Sequence, residues 1–136
     1  MIFLKFPIKI LLIFTTINKK AEIMSVEEKL AFKIKAYLKQ GENVIKFHGT
    51  VCVTDKRLLF IGEVPFAKIK KIGVISLKYS SITAVAGLEA DMNSAESSLR
   101  GFSVTAGGAS WLFDFPHDRE QAAILYNEIY NLTFLS

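Results

Sequence analysis

The chain has 136 residues, enough for one domain, and 51% of them are hydrophobic, eleven being phenylalanine, so a real core can form. The one cysteine, Cys52, excludes an internal disulfide and removes any requirement for an oxidising compartment. Lys5, Lys9, Lys19 and Lys20 against Glu22 put +3 of the net +4 into residues 1–23. The remainder is nearly neutral, which excludes nucleic acid as the expected partner.

Residues 1–23 read as an apolar, basic leader. Thirteen of the first twenty residues are Phe, Ile, Lys or Asn, the amino acids that AT-rich DNA encodes by default. The apolar run Ile10 to Ile17 is too short to cross a bilayer, which takes about 20 residues. No small-residue cleavage site follows it. Three readings stay open: an over-extended start with translation beginning at Met24, a weak membrane anchor or signal, and an extra packed strand.

A single domain is expected over 24–136. Ser25-Val26-Glu27-Glu28 has the form of a capping box, and Val26, Leu30, Ile34 and Leu38 follow at a spacing of four. Gln40-Gly41 supplies a left-handed stop, so an amphipathic helix is predicted over 26–40. Its lysines lie mostly off the apolar stripe, which favours a helix packed on a sheet over one lying on a membrane.

From Val44 to Val53 apolar and polar residues alternate, which predicts one long half-buried strand, with Cys52 a small packed residue on its less apolar face. Thr54-Asp55-Lys56-Arg57 is a turn, with Asp55 expected to bond its own following backbone, and Arg57 to Ile61 is the return strand. Pro65 ends that strand. Further strands are predicted over Val74 to Tyr79, Ile82 to Leu88, Arg100 to Ala106 and Ser110 to Phe115. Gly107-Gly108 forms a two-residue hairpin turn between the last two. Trp111, Phe113 and Phe115 share one face, and so do Phe102, Val104 and Ala106. Asp118-Arg119-Glu120-Gln121 reads as a second capping box, opening a helix over 119–132. The sheet therefore spans 43–116.

Two stretches carry a family resemblance. Gly49 to Phe60, reading GTVCVTDKRLLF, resembles the opening hairpin of bacterial pleckstrin-homology-like domains, the YokE-like and GRAM-related group. Leu77 to Val85, reading LKYSSITAV, is similar to a later strand start of that group. The resemblance runs from about Lys29 to the C-terminus, with Glu89 to Ser98 longer than the turn it replaces. It implies an α+β fold: a partly open β-barrel of six or seven antiparallel strands, a C-terminal capping helix and an additional N-terminal amphipathic helix.

Catalytic and metal-binding chemistry finds no footing in the pattern. His48 and Cys52, four apart on a strand, are separated by about 13 Å and cannot share a zinc ion. His117 stands at the mouth of the last helix, a place for capping or solvent contact. Asp91, Asn93 and Glu96 lack the calcium-loop spacing, Gly107-Gly108 is no phosphate cradle, and no GxSxG elbow occurs. The expected catalytic, cofactor and metal residues are therefore none. In the resembling fold, loops on one rim bind anionic headgroups; Lys56, Arg57, Lys68, Lys70, Lys71 and Lys78 are the residues in place for that. The sequence reading is a non-catalytic interaction module binding a protein partner or itself through a strand edge or helix–sheet groove. The alternative is a peripheral membrane module using the basic rim. Neither a nucleic acid nor a small-molecule substrate is expected. The expected location is cytoplasmic, with membrane association if residues 1–23 are translated.

Overall fold

The computed structural model describes residues 25–136, so the leader readings fall outside the described residues. Helix α1 (Val26–Lys35) precedes strands β1 (Val44–His48), β2 (Val51–Thr54), β3 (Arg57–Glu63) and β4 (Ile72–Lys78). A 3-10 turn, Tyr79–Ser81, leads into β5 (Ile82–Glu89), β6 (Leu99–Ala106) and β7 (Ala109–Asp114). Helix α2 (Arg119–Tyr130) follows and ends in a π-helical turn, Asn131–Leu135.

All strand pairs are antiparallel. The first sheet runs β1-β2-β3-β4 and the second β5-β6-β7. The main core lies between them, where Val51, Val53, Leu58 and Phe60 meet Phe102, Val104, Trp111 and Phe113. Helix α2 contributes Leu125 and Ile129 to this same core. Aromatic edges fix the contact: the Phe60 ring stands T-shaped to both Trp111 and Phe113, at 5.3 and 4.9 Å between centroids. Among the described residues the two sheets share no ladder and do not close into a full barrel, in line with the partly open barrel that the resemblance implies.

A second, smaller core covers the outer face of the first sheet. Ile34 of α1 packs there with Cys52 and Leu59, flanked by Leu38, Phe47, Ile61 and Val74. This explains why all four residues of β2 are buried, although the alternation predicted one wet face.

The expected long strand from Val44 to Val53 is in fact two strands. Gly49 takes φ +60, and Gly49-Thr50 turns the chain back so that His48 pairs with Val51 and Phe47 with Cys52. Cross-strand partners share a face, so Phe47 joins Cys52 beneath α1 rather than Val51 and Val53 in the main core. A tight turn of two residues hides inside an unbroken alternation, because it keeps the spacing and only swaps which parity faces inward.

The capping box at Ser25 forms, with the Ser25 hydroxyl accepting from the Glu28 amide and the Glu28 carboxylate from the Ser25 amide, both at 3.1 Å. The helix ends at Lys35, short of the predicted Gln40. The Tyr37 carbonyl beyond it accepts from the Arg57 guanidinium at 2.6 Å. The second capping box does not form. Asp118 makes no side-chain cap; its carboxylate lies 2.9 Å from His48 Nε2, and Gln121 Oε1 is buried without a partner. Asp55 also departs from expectation. It accepts from the Asn43 amide and side chain, while the Thr54 hydroxyl accepts from the Lys56 and Arg57 amides to shape the turn. The Gly107-Gly108 turn is as read, with φ +59 and +80 and Ala106 paired to Ala109.

Candidate functional site: an open seam beside β7

Where the two sheets fail to join, a groove of about 510 Å³ opens between β7 and the β1–β2 turn. One wall is His48, Gly49, Thr50 and Ile61; the other is the chain from Trp111 to Asp118. His48 and Asp118 meet across it, and the His48 and Phe115 rings lie 5.8 Å apart. The Trp111 indole N–H donates to the Glu63 carbonyl at 2.9 Å and so ties β7 to the end of β3.

β7 pairs only with β6, which leaves its other edge open among the described residues. The Phe115 amide donates to the Arg100 carbonyl. In an antiparallel pair, hydrogen-bonded residues alternate with residues whose polar groups point away. Counting back from Phe115, the N–H and C=O groups of Ser110, Leu112 and Asp114 are directed away from β6. Trp111 and Phe113 point into the core, while Leu112 is exposed. The aromatic stripe marks which side chains of β7 face the core, but the open edge follows from strand order and has no local signal in the sequence.

The six basic residues read as one rim do not converge. Arg57 pairs with Lys78 at one end of the β3–β4 hairpin, and Glu63 pairs with Ile72 at the other. Lys56, Arg57 and Lys78 are thus about 20 Å of strand away from the loop holding Lys68, Lys70 and Lys71.

Arg57 is moreover fully engaged. Its Nε donates to Glu42 Oε2 at 2.8 Å and its Nη2 to Glu42 Oε1 at 3.0 Å, with further bonds to Ser76 Oγ and the Tyr37 carbonyl. The side chains of Arg57 and Glu42 are 19% and 3% exposed. The Arg57 hydrogen bond, with help from the Lys39 amide and the Thr54 hydroxyl, outweighs burial and holds the Glu42 carboxyl down at about 2. Glu42, which the sequence placed only in a loop, neutralises the cation and leaves it structural.

Cys52 is buried beneath α1, and burial, aided by the charge of Glu42, pushes its thiol up to about 11. At neutral pH it stays protonated and a poor nucleophile. Burial raises the Tyr79 phenol likewise; its hydroxyl sits 2.7 Å from the Thr54 carbonyl and 2.9 Å from the Arg57 carbonyl, pinning the corner between the sheets. His117 is exposed. In the polar loop, the Glu89 carboxylate is taken up by Ser97 and Ser98, which accounts for its lowered pKa. Among the described residues no three His, Cys, Asp or Glu side chains are grouped to hold a metal ion, and no helix is long and apolar enough to cross a membrane.

Comparison with known proteins agrees with this architecture. A DUF1696-family protein with a pleckstrin-homology domain from Shewanella loihica PV-4 has a similar solved structure, with a TM-score of 0.50 and 16% identity, covering 81% of this chain and 95% of that one. At that identity the likeness establishes the fold. No curated protein matches the sequence. The sequence pattern of the bacterial PH domain matches residues 10–94, a stretch that opens within the apolar leader and runs past the end of β5. With well over half of its length matched, this chain belongs to the bacterial PH domain family.

Proposed function

We propose that this chain is a non-catalytic interaction module that takes up an extended segment of a partner protein, or of a second copy, as an added strand along β7. The observation that carries this reading is the open β7 edge, whose outward backbone groups at Ser110, Leu112 and Asp114 border a groove already bounded on its far side by His48, Gly49 and Thr50. In strand addition the backbone ladder supplies affinity and the side pockets supply choice. Here the exposed Leu112 flanks the added strand, and Ile61 and Phe115 give the groove its apolar lining. The reading sets the module in the cytoplasm, which a free, buried thiol at Cys52 suits.

Leu112→Pro is the discriminating variant. Proline at this position removes an amide that points away from β6, so the β6–β7 ladder keeps its bonds while the added strand loses a donor. The experiment captures polypeptide partners on the full chain, with and without Leu112→Pro, alongside light scattering after size exclusion. The expected result is a captured partner, or a dimer, that the proline variant loses with its circular dichroism unchanged. A wild-type chain that stays monomeric and captures nothing, or a partner retained equally by both, overturns the reading.

A further inference from the structure

The lining of the seam is polarised along its length. Its carboxylates, Asp114 and Asp118, stand at the end where the clasp closes, and among the described residues that line it there is no lysine or arginine. Away from that end the lining is apolar or neutral, with Ile61, Trp111, Leu112 and Thr50. The two carboxylates differ in how far they are already answered. Arg100, on β6 and outside the groove, holds Asp114 with bonds of 2.8 and 2.7 Å and offsets its charge. Asp118 is paired with His48, which is charged only when protonated, and its side chain is 46% exposed. A carboxylate has about four acceptor sites, so each retains room for a further donor.

The register of β7 fixes what stands opposite, because cross-strand partners share a face. Trp111 and Phe113 are buried, whereas Ser110, Leu112 and Asp114 are exposed. Residues of an added strand opposite Trp111 and Phe113 therefore turn toward the groove floor and Ile61. The residue opposite Leu112 lies on the outer face beside a leucine that is 65% exposed. These three consecutive positions suit apolar, β-branched side chains. The position opposite Asp114 and the one beyond it, level with Phe115 and the clasp, meet carboxylate, so an acidic residue there faces a like charge. Every strand pair of the fold is antiparallel, and antiparallel pairing is the slightly more stable kind. In that direction an added strand runs from the clasp toward the Gly107-Gly108 turn, and its cationic residues come first.

We infer that the seam selects an extended polypeptide segment in which two basic residues immediately precede three apolar ones, docked antiparallel to β7. The inference rests on the strand-addition reading of this same seam and adds the chemistry and direction of the segment. Backbone bonds accept any sequence, so the choice falls to these five positions. Asp118 contributes more to it than Asp114, whose charge Arg100 already offsets.

The experiment measures fluorescence anisotropy of three synthetic peptides, capped at both ends to remove terminal charges, against the full chain. They are Lys-Lys-Val-Ile-Val-Thr, its reverse Thr-Val-Ile-Val-Lys-Lys, and Glu-Glu-Val-Ile-Val-Thr. The variants are Asp118→Asn, Asp114→Asn, Leu112→Pro and, as a charge control in the loop between β5 and β6, Glu96→Gln. Asparagine is as good as aspartate ahead of a helix, so Asp118→Asn keeps its fold. The lysine-first peptide should bind about tenfold or more tightly than the other two, by a margin that shrinks with added salt. Asp118→Asn should narrow the gap between lysine-first and glutamate peptides, Asp114→Asn should narrow it less, and Glu96→Gln should leave it unchanged. Lysine and glutamate peptides bound equally, or a gap untouched by Asp118→Asn, overturn the inference; if both peptides are lost with Leu112→Pro, strand addition survives that failure. A reversed peptide bound as tightly as the lysine-first one overturns the direction. Binding of none of the three overturns the inference, while a captured partner lost with Leu112→Pro still upholds strand addition. A lysine-first peptide held equally by Leu112→Pro overturns both.

Discussion

Arg57 carries a charge that the fold spends on itself. Glu42 answers it with two hydrogen bonds from a nearly water-free position, and the carboxyl falls from 4.5 to about 2. A carboxylate with a lowered folded pKa contributes stability that is fully present above its unfolded value and disappears as the pH drops through the folded one. The contribution here is about 3 kcal/mol, lost between about pH 5 and pH 2. Urea titrations at neutral and acid pH should show that loss. Glu42→Gln should cost about 2–4 kcal/mol at neutral pH, since it strands the guanidinium, and should flatten the acid limb. An acid limb unchanged in the variant contradicts this. No local spacing announces a pair fifteen residues apart, which is why the sequence shows the arginine as a candidate ligand group and the glutamate as loop. Thr54 and Asp55 teach the same lesson at closer range. Either can build a turn, and only the pull of Asn43 on the aspartate decides for the threonine.

Among the elements, those whose signal is local were legible. The Ser25 capping box, the Gly107-Gly108 turn and the Trp111, Phe113, Phe115 stripe all read correctly, because each depends on residues within a few positions. The Gly49-Thr50 turn was not legible, because it leaves the alternation intact. The Asp118 cap was not, because His48, seventy residues earlier in the chain, claims its carboxylate. The strand glycine Gly101 marks a close approach that the sequence only hints at. A side chain there would begin 2.2 Å from the Phe113 carbonyl oxygen, so β6 and β7 could not keep their register. Gly101→Ala should cost about 3 kcal/mol or more, read by thermal unfolding. An unchanged melting temperature would mean that the two strands part more freely than their packing implies.

For the molecule as a whole, α2 replaces the missing ladder between the sheets. Leu125 and Ile129 belong to the core that includes Val51 and Leu58 of the first sheet and Phe102 and Val104 of the second. The two sheets should therefore unfold in one transition, with Leu125→Ala losing about 2–4 kcal/mol while remaining two-state. Two separate transitions, by fluorescence of Trp111 and by circular dichroism, count against a shared core. The α+β plan was readable because it is the sum of periodic segments. The incomplete closure came only with the family resemblance, since periodicity alone does not say how two curved sheets meet. That incompleteness also sets a measure. The exposed margin of β7 spans six residues, about 20 Å, before the His48–Asp118 clasp shuts the passage. On the strand-addition proposal, that clasp would act as a gauge: a short linear motif would fit flush, whereas a longer tail would have to peel off at its end.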